Sequence, residues 1–294
     1  MKFCALLLLF STALQTAQAL PEAELQRYID EAIKAGGGEV VIPPGVHLIE
    51  CGLMVKDAKK LRIVGLEAEE TVLKAASDKI TLISLMGSCE NVRIEKLSFE
   101  GGVFGVWRRV PEEAQIKGDP KLIGFTIMRC FFQHQHSNAV LLGAAEQTTV
   151  EDCSFSDINS VSLMFGGGSA EGIVRHNHFI RCRTAVALLG TRKISVVANE
   201  ISHCSTGVSI GCSSSGVTGL QNVVLSNAMD HCKEAAVAIH DKTRQNSVLQ
   251  NDITNSGKNG IILSGEAQIL KSNKITGSGM KDILIQEGKH ELAD

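Results

Sequence analysis

The chain has 294 residues, a net charge of −3 and only 4% aromatic residues, with one Trp and one Tyr. Balanced charge excludes wholesale binding to nucleic acid or another polyanionic surface. Scarce aromatics count against a long sugar groove lined with stacking platforms.

Residues 1–19 read as a secretory leader: Lys2 is the positive start, Ala5 to Phe10 the apolar stretch, and Ala17-Gln18-Ala19 a small-residue cleavage site. The apolar run is too short for the ~20 residues of a membrane span, and no later segment is apolar enough to cross. The expectation is a secreted, periplasmic or extracellular protein whose residues 20–294 form one domain. Leu25, Tyr28, Ile29, Ala32 and Ile33 then recur at helical spacing, which predicts an amphipathic helix over 21–35 ended by Gly36-Gly37-Gly38. Short β-branched runs follow from residue 39, broken by turn residues.

From residue 97 a column emerges. Leu97, Cys130, Cys153, Asn177, Asn199, Asn227, Asn251 and Asn273 recur at steps of 22 to 33 residues. In the Asn-bearing repeats the column residue lies three after one apolar residue (Val174, Val196, Val224, Val248, Leu270) and two before another (Phe179, Ile201, Met229, Ile253, Ile275). A repeat of this length, rich in β-branched residues, predicts an all-β solenoid with coils over about 39–286. Stacked coils place equivalent strands in parallel, so an Asn at a turn can bond the Asn of the next coil. Otherwise its buried amide would cost ~1–3 kcal/mol. Cys182, Cys204 and Cys232 form a second column five residues after the Asn. Side chains stacked ~4.8 Å apart with parallel Cβ vectors suit packed thiols better than a disulfide, which needs converging Cβ atoms.

The helix, the run AGGGEVVIPPG, the run KLRIVGLEAEETVL and the Asn-ladder coils together resemble the right-handed parallel β-helix proteins of the pectate-lyase-like superfamily. The resemblance spans nearly all of residues 20–294. It implies a single-stranded right-handed β-helix with an N-terminal capping helix, a polysaccharide as partner and calcium as the cofactor to look for. A monomer is the expected state.

Four residues after the ladder slot lie His134, Asp157, Arg181, His203 and His231. On stacked coils they would form one polar strip. Arg181 could neutralise a uronate carboxylate bidentately, with His203 and His231 as proton-transfer groups. His134 and Asp157 would contact substrate, as would Trp107, Arg108 and Arg109 on the long insertion from Gly101 to Lys121. This points to a polysaccharide lyase. Metal ligation through His176, His178 and His203 lacks a completing ligand, so no metal site is expected. Against an enzyme, the outward sheet positions Ser162, Ala187, Ser209, Ala238, Ile262 and Leu284 carry no acid, base or cation. The paired aspartates of polygalacturonase-like hydrolases, the Asp-Pro-His-Glu run of alginate epimerases and the Trp-Ile-Asp-His motif of pectate lyases are missing. The alternative is therefore a non-catalytic surface or carbohydrate-binding β-helix.

Overall fold

The computed structural model describes residues 19–108, 110, 122–214 and 216–293. The chain winds into a right-handed β-solenoid of about 10 turns with one helix near its N-terminus. Each turn contributes one strand to each of three parallel sheets, of 11, 10 and 10 strands among the described residues. Sheet I holds Ile173–Arg175 and its equivalents, sheet II His178–Ile180 and its equivalents, and sheet III Thr184–Leu189 and its equivalents.

The register is set by what points inward. Val174, Val196, Val224, Val248 and Leu270 stand over one another in sheet I. In sheet II the inward file runs Phe99, Phe132, Phe155, Phe179, Ile201, Met229, Ile253, Ile275. Its four Phe rings stack nearly parallel at centroid spacings of 4.5, 4.9 and 4.7 Å, close to the inter-strand spacing of ~4.8 Å. Identical neighbours at a fixed rise thus let flat side chains fill the core without voids.

The corner between sheets I and II carries the Asn ladder. Asn177, Asn199, Asn227 and Asn251 each donate Nδ2 to the Oδ1 of the next Asn at 2.9–3.0 Å. The same Oδ1 atoms also accept from the backbone N–H one coil back. Each Nδ2 further donates to the carbonyl of Val150, Val174, Val196 or Val224. These buried amides are therefore satisfied on both sides. A second ladder, Asn222, Asn246 and Gln268, occupies the corner between sheets III and I.

The corners also need left-handed backbone. Arg129, Asp152 and His176 precede the ladder slot at φ of 52–54°, and His134, Asp157, Arg181, His203, His231 and Asn255 sit at φ of 52–61° before sheet III. Non-glycine residues rarely adopt this region. Here the corner N–H of every one of these residues except His176 donates to the adjoining coil, as from His203 to Asp230 O at 3.1 Å.

The helix Glu22–Lys34 closes the N-terminal end, one residue shorter at each end than 21–35. Leu25 and Ile29 are fully buried against the first coil. The Glu22 carboxylate accepts from the backbone N–H of Glu50, Cys51 and Gly52. The Gln26 amide pairs with both backbone groups of Met54 at 2.8 and 2.9 Å. Polar helix side chains thereby bond backbone groups at the edge of the first sheet III strand. At the other end the coils run past residue 286, and Glu291–Ala293 adds the last strand of sheet I. Among the described residues no helix is long and apolar enough to cross a membrane.

Candidate functional site

In-register pairing along sheet II aligns the residues that follow its strands. His134, Asp157, Arg181, His203 and His231 consequently occupy successive coils at one corner. The strip is not a row of independent groups. The Arg181 guanidinium forks onto Asp157, Nε to Oδ1 at 2.7 Å and Nη2 to Oδ2 at 2.8 Å. That pairing holds the Asp157 carboxyl below the usual range and raises Arg181. The rings of His203 and His231 stack at 5.0 Å with planes 1° apart.

Asp230, unnoticed in the sequence, organises this end of the strip. Its carboxylate accepts from Thr254 Oγ1 at 2.6 Å, His231 Nδ1 at 2.6 Å and Asn255 Nδ2 at 3.0 Å. The Thr254 hydroxyl is the largest cause of its low pKa of about 2; burial opposes it, and His231 and Asn255 add to the lowering. An Asp that accepts from Nδ1–H leaves Nε2 of the neutral His231 ring as the acceptor, a tautomer assigned from the partner.

Other expected residues separate from the strip. Arg108 is corrected from substrate grip to core: it is 1% exposed, in register with Leu85, and Nη1 donates to Leu85 O at 3.4 Å. Burial lowers its pKa. Strand alternation explains this, since Trp107 faces out and its neighbour must face in. Arg109 lies outside the described residues, as do residues 1–18 of the expected leader. Trp107 stands half-buried on the outer face of sheet III, stacked on Phe104 at 5.1 Å.

The outer file of sheet III runs Met54, Ser84, Trp107, Leu141, Met164, Ala187, Ser209, Ala238, Ile262, Leu284. Met164, not Ser162, fills the slot before Ala187. The corner after Asp157 holds one residue more than that after Arg181, so Val161 meets Thr184 and Ser162 turns inward, fully buried. Ser209 Oγ lies 3.1 Å from His240 Nε2, a polar pair on this largely apolar face.

Cys130, Cys153, Cys182, Cys204 and Cys232 are buried free thiols. The thiols of Cys153, Cys182 and Cys204 donate to the carbonyls two residues earlier at 3.2–3.5 Å. Burial pushes the Cys130 and Cys232 thiols up, the latter to about 12. The Cys130 and Cys232 thiols are packing, not nucleophiles; the neighbouring Cys204 lowers the Cys182 thiol to about 7.

For a divalent cation, the best cluster among the described residues is Glu151, Asp152 and His176, with ligand atoms within 4.8 Å of one another. It fits calcium poorly. Arg175 already binds Glu151 at 2.9 Å and Arg129 stands 4.0 Å from Asp152, so the local field is not that of an acidic oxygen cage.

Three parallel sheets, an internal amide ladder and a polar corner strip define a parallel β-helix protein with an outward-facing candidate site. The chain belongs to the right-handed beta helix family, whose match covers residues 112–289. No curated protein matches the chain. Among solved structures it is similar to the A-module of the mannuronan C-5 epimerase AlgE4 from Azotobacter vinelandii, with TM-score 0.64, 15% identity, and 95% of this chain and 94% of that one covered. It is also similar to ORF18 of Geobacillus virus E2, with TM-score 0.62, 13% identity, and 92% and 58% covered. A third is the catalytic unit of the GH87 alpha-1,3-glucanase from Streptomyces thermodiastaticus strain HF3-3, with TM-score 0.54, 16% identity, and 97% and 69% covered. At such identities the likeness establishes the fold.

Proposed function

We propose that this protein is a secreted β-helix that acts on an acidic polysaccharide by β-elimination at the corner strip. The observation that carries the reading is the His203–His231 stack anchored by Asp230 one coil from the Arg181 fork. In this reaction Nε2 of His231 takes the proton α to the uronate carboxylate. The electron pair forms the new C=C bond, the glycosidic C–O bond breaks, and His203 returns a proton to the departing oxygen. Arg181 receives the carboxylate. Asp157 already occupies that fork, and an exposed pair is worth only ~0–1 kcal/mol, so a substrate carboxylate can replace it at little cost. The epimerase and glucanase among the similar structures act on polysaccharides by name, which supports a polysaccharide substrate.

Purified protein incubated with pectate, alginate and glycosaminoglycans, with and without calcium, is expected to release unsaturated uronates that absorb in the ultraviolet. His231→Ala should lower that rate by ~10²-fold or more. Folded protein that yields no such product on any of these polymers would overturn the reading.

A second reading rests on the outer face of sheet III. The Phe104–Trp107 stack and the small residues Ala187, Ser209 and Ala238 offer a flat surface to the apolar side of a sugar ring. Saturable polysaccharide binding that Trp107→Ala abolishes, without turnover, would favour this non-catalytic scaffold.

A further inference from the structure

The inward file of sheet II is apolar from Leu73 onward, yet its first member, in the strand Gly45–Ile49, is His47. Its side chain is buried, and both ring nitrogens meet backbone groups. Nε2 lies 2.9 Å from Pro43 O, which can only accept, so in the neutral ring Nε2 carries the proton. Nδ1 is then the acceptor for Leu20 N–H at 2.9 Å, and Leu20 O stands 3.3 Å from the same atom. The N–H held in this way belongs to the residue that follows Ala17-Gln18-Ala19, the small-residue cleavage motif. Leu20 is half-buried and packs on the core, whereas Ala19 is exposed.

We propose, on the secretion read above and independently of the corner strip, that the chain is cut at the Ala19–Leu20 bond and that His47 is the receptor for the α-amino group released there. The cut is a hydrolysis by a leader peptidase of the export machinery. The C–N bond breaks, the oxygen of water goes to Ala19 as a carboxylate, and both its protons go to Leu20 N. That nitrogen becomes an ammonium, the dominant form of an α-amino group at neutral pH. Three features suit His47 to it. The first is position: the motif in the sequence and the anchored N–H in the fold fall at the same bond. The second is space. A Cβ on Gly45 would come within 3.3 Å of Ala19 N and Cα, so Ala19 fits there only against a glycine. Its departure opens that exposed corner, and the remaining N–H bonds of the ammonium reach water. The third is the entry to the helix. Pro21 supplies no side-chain cap, so the Leu20 bond fixes the chain as it enters Glu22–Lys34. A cation beside a helix N-terminus is unfavourable, and Glu22 and Glu24 in the first turn offset it. A charge-assisted bond to Nδ1 is stronger than the amide bond it replaces, so processing tightens the cap.

Expression of the full chain, leader included, in a host that exports proteins tests this. Intact mass gives the cut. Peptide mapping after a short pulse of acylating reagent at neutral pH gives the reactivity of the new α-amine. The expected mass is that of residues 20–294, and the Leu20 amine should react at least tenfold more slowly in folded protein than in urea. His47→Leu, which continues the apolar file, should remove that protection with unchanged circular dichroism. Should this variant fail to fold, a Ser inserted between Ala19 and Leu20 moves the amine one residue outward and should remove the protection with His47 intact. A chain left whole or cut at another bond would overturn the assignment of the processing site. A Leu20 amine that reacts equally fast folded and unfolded, or protection indifferent to a folded variant, would overturn the docking on His47. Neither readout depends on polysaccharide turnover, so these failures are distinct from failure of the lyase chemistry.

Discussion

Asp230 accepts from a hydroxyl, an imidazole and an amide on three neighbouring positions, and its carboxyl titrates at about 2 instead of the ordinary ~3.9. A depressed carboxyl contributes stability that is complete above its unfolded pKa and is lost as pH falls through the folded value. The window is therefore about pH 4 down to 2. Because this side chain is 42% exposed, screening limits the contribution to about 1 kcal/mol or less. Asp230→Asn should consequently flatten the melting temperature between pH 4 and pH 2 relative to wild type, measured by calorimetry. Equal acid sensitivity in the two proteins would count against this account. None of this was visible in the sequence. Asp230 has no periodic equivalent, and its partners Thr254 and Asn255 approach only through stacking one coil away. The columns of His134, Asp157, Arg181, His203 and His231 were legible because the strip repeats with the coil. Their pairwise partnerships were not. Arg108 shows the converse, since a cation beside Trp107 in sequence was placed in the core by strand alternation.

The ladder makes a graded claim about elements. Asn227 Oδ1 serves both N–H and Nδ2 of Asn199, and its own Nδ2 reaches Val196 O and Asn251 Oδ1. Removing that amide strands several buried groups, at ~1–3 kcal/mol each. Asn273 at the last rung is only half-buried, so water can replace its bonds. Asn227→Ala should therefore destabilise by about 2–4 kcal/mol and Asn273→Ala by about 1 kcal/mol or less, measured by urea unfolding. Similar losses at the two sites would refute the role of burial. This ladder was readable because it holds a fixed offset to two apolar residues over five coils. The ladder of Asn222, Asn246 and Gln268 escaped notice for a physical reason. It has three rungs, one of them a Gln, and it follows the corner whose insertions vary in length. A different corner, between sheets II and III, also varies in length, and there the outward slot falls at Met164, two residues beyond Ser162.

For the whole molecule, the repeat wrote the architecture into the sequence because each coil touches only its neighbours. Function is written otherwise, in outward residues that no packing rule constrains. Nearest-neighbour construction also limits how far damage spreads. The helix reaches only the first coils, through Leu25, Ile29, Glu22 and Gln26. Leu25→Ala with Ile29→Ala would remove two buried aliphatic side chains, each worth ~2–5 kcal/mol where a cavity cannot collapse. In a solenoid that loss falls on the end coil and not on the central core. Hydrogen exchange should therefore accelerate at least tenfold in the strands Gly38–Ile42 and Leu53–Lys56. Protection at Ile173–Arg175 through Thr206–Gly211 should remain near wild type. The freed edge would also lose the Gln26 contact at Met54, so the double variant should associate more readily. Uniform acceleration across all coils would instead show that the solenoid opens as one unit, with the helix holding the global barrier.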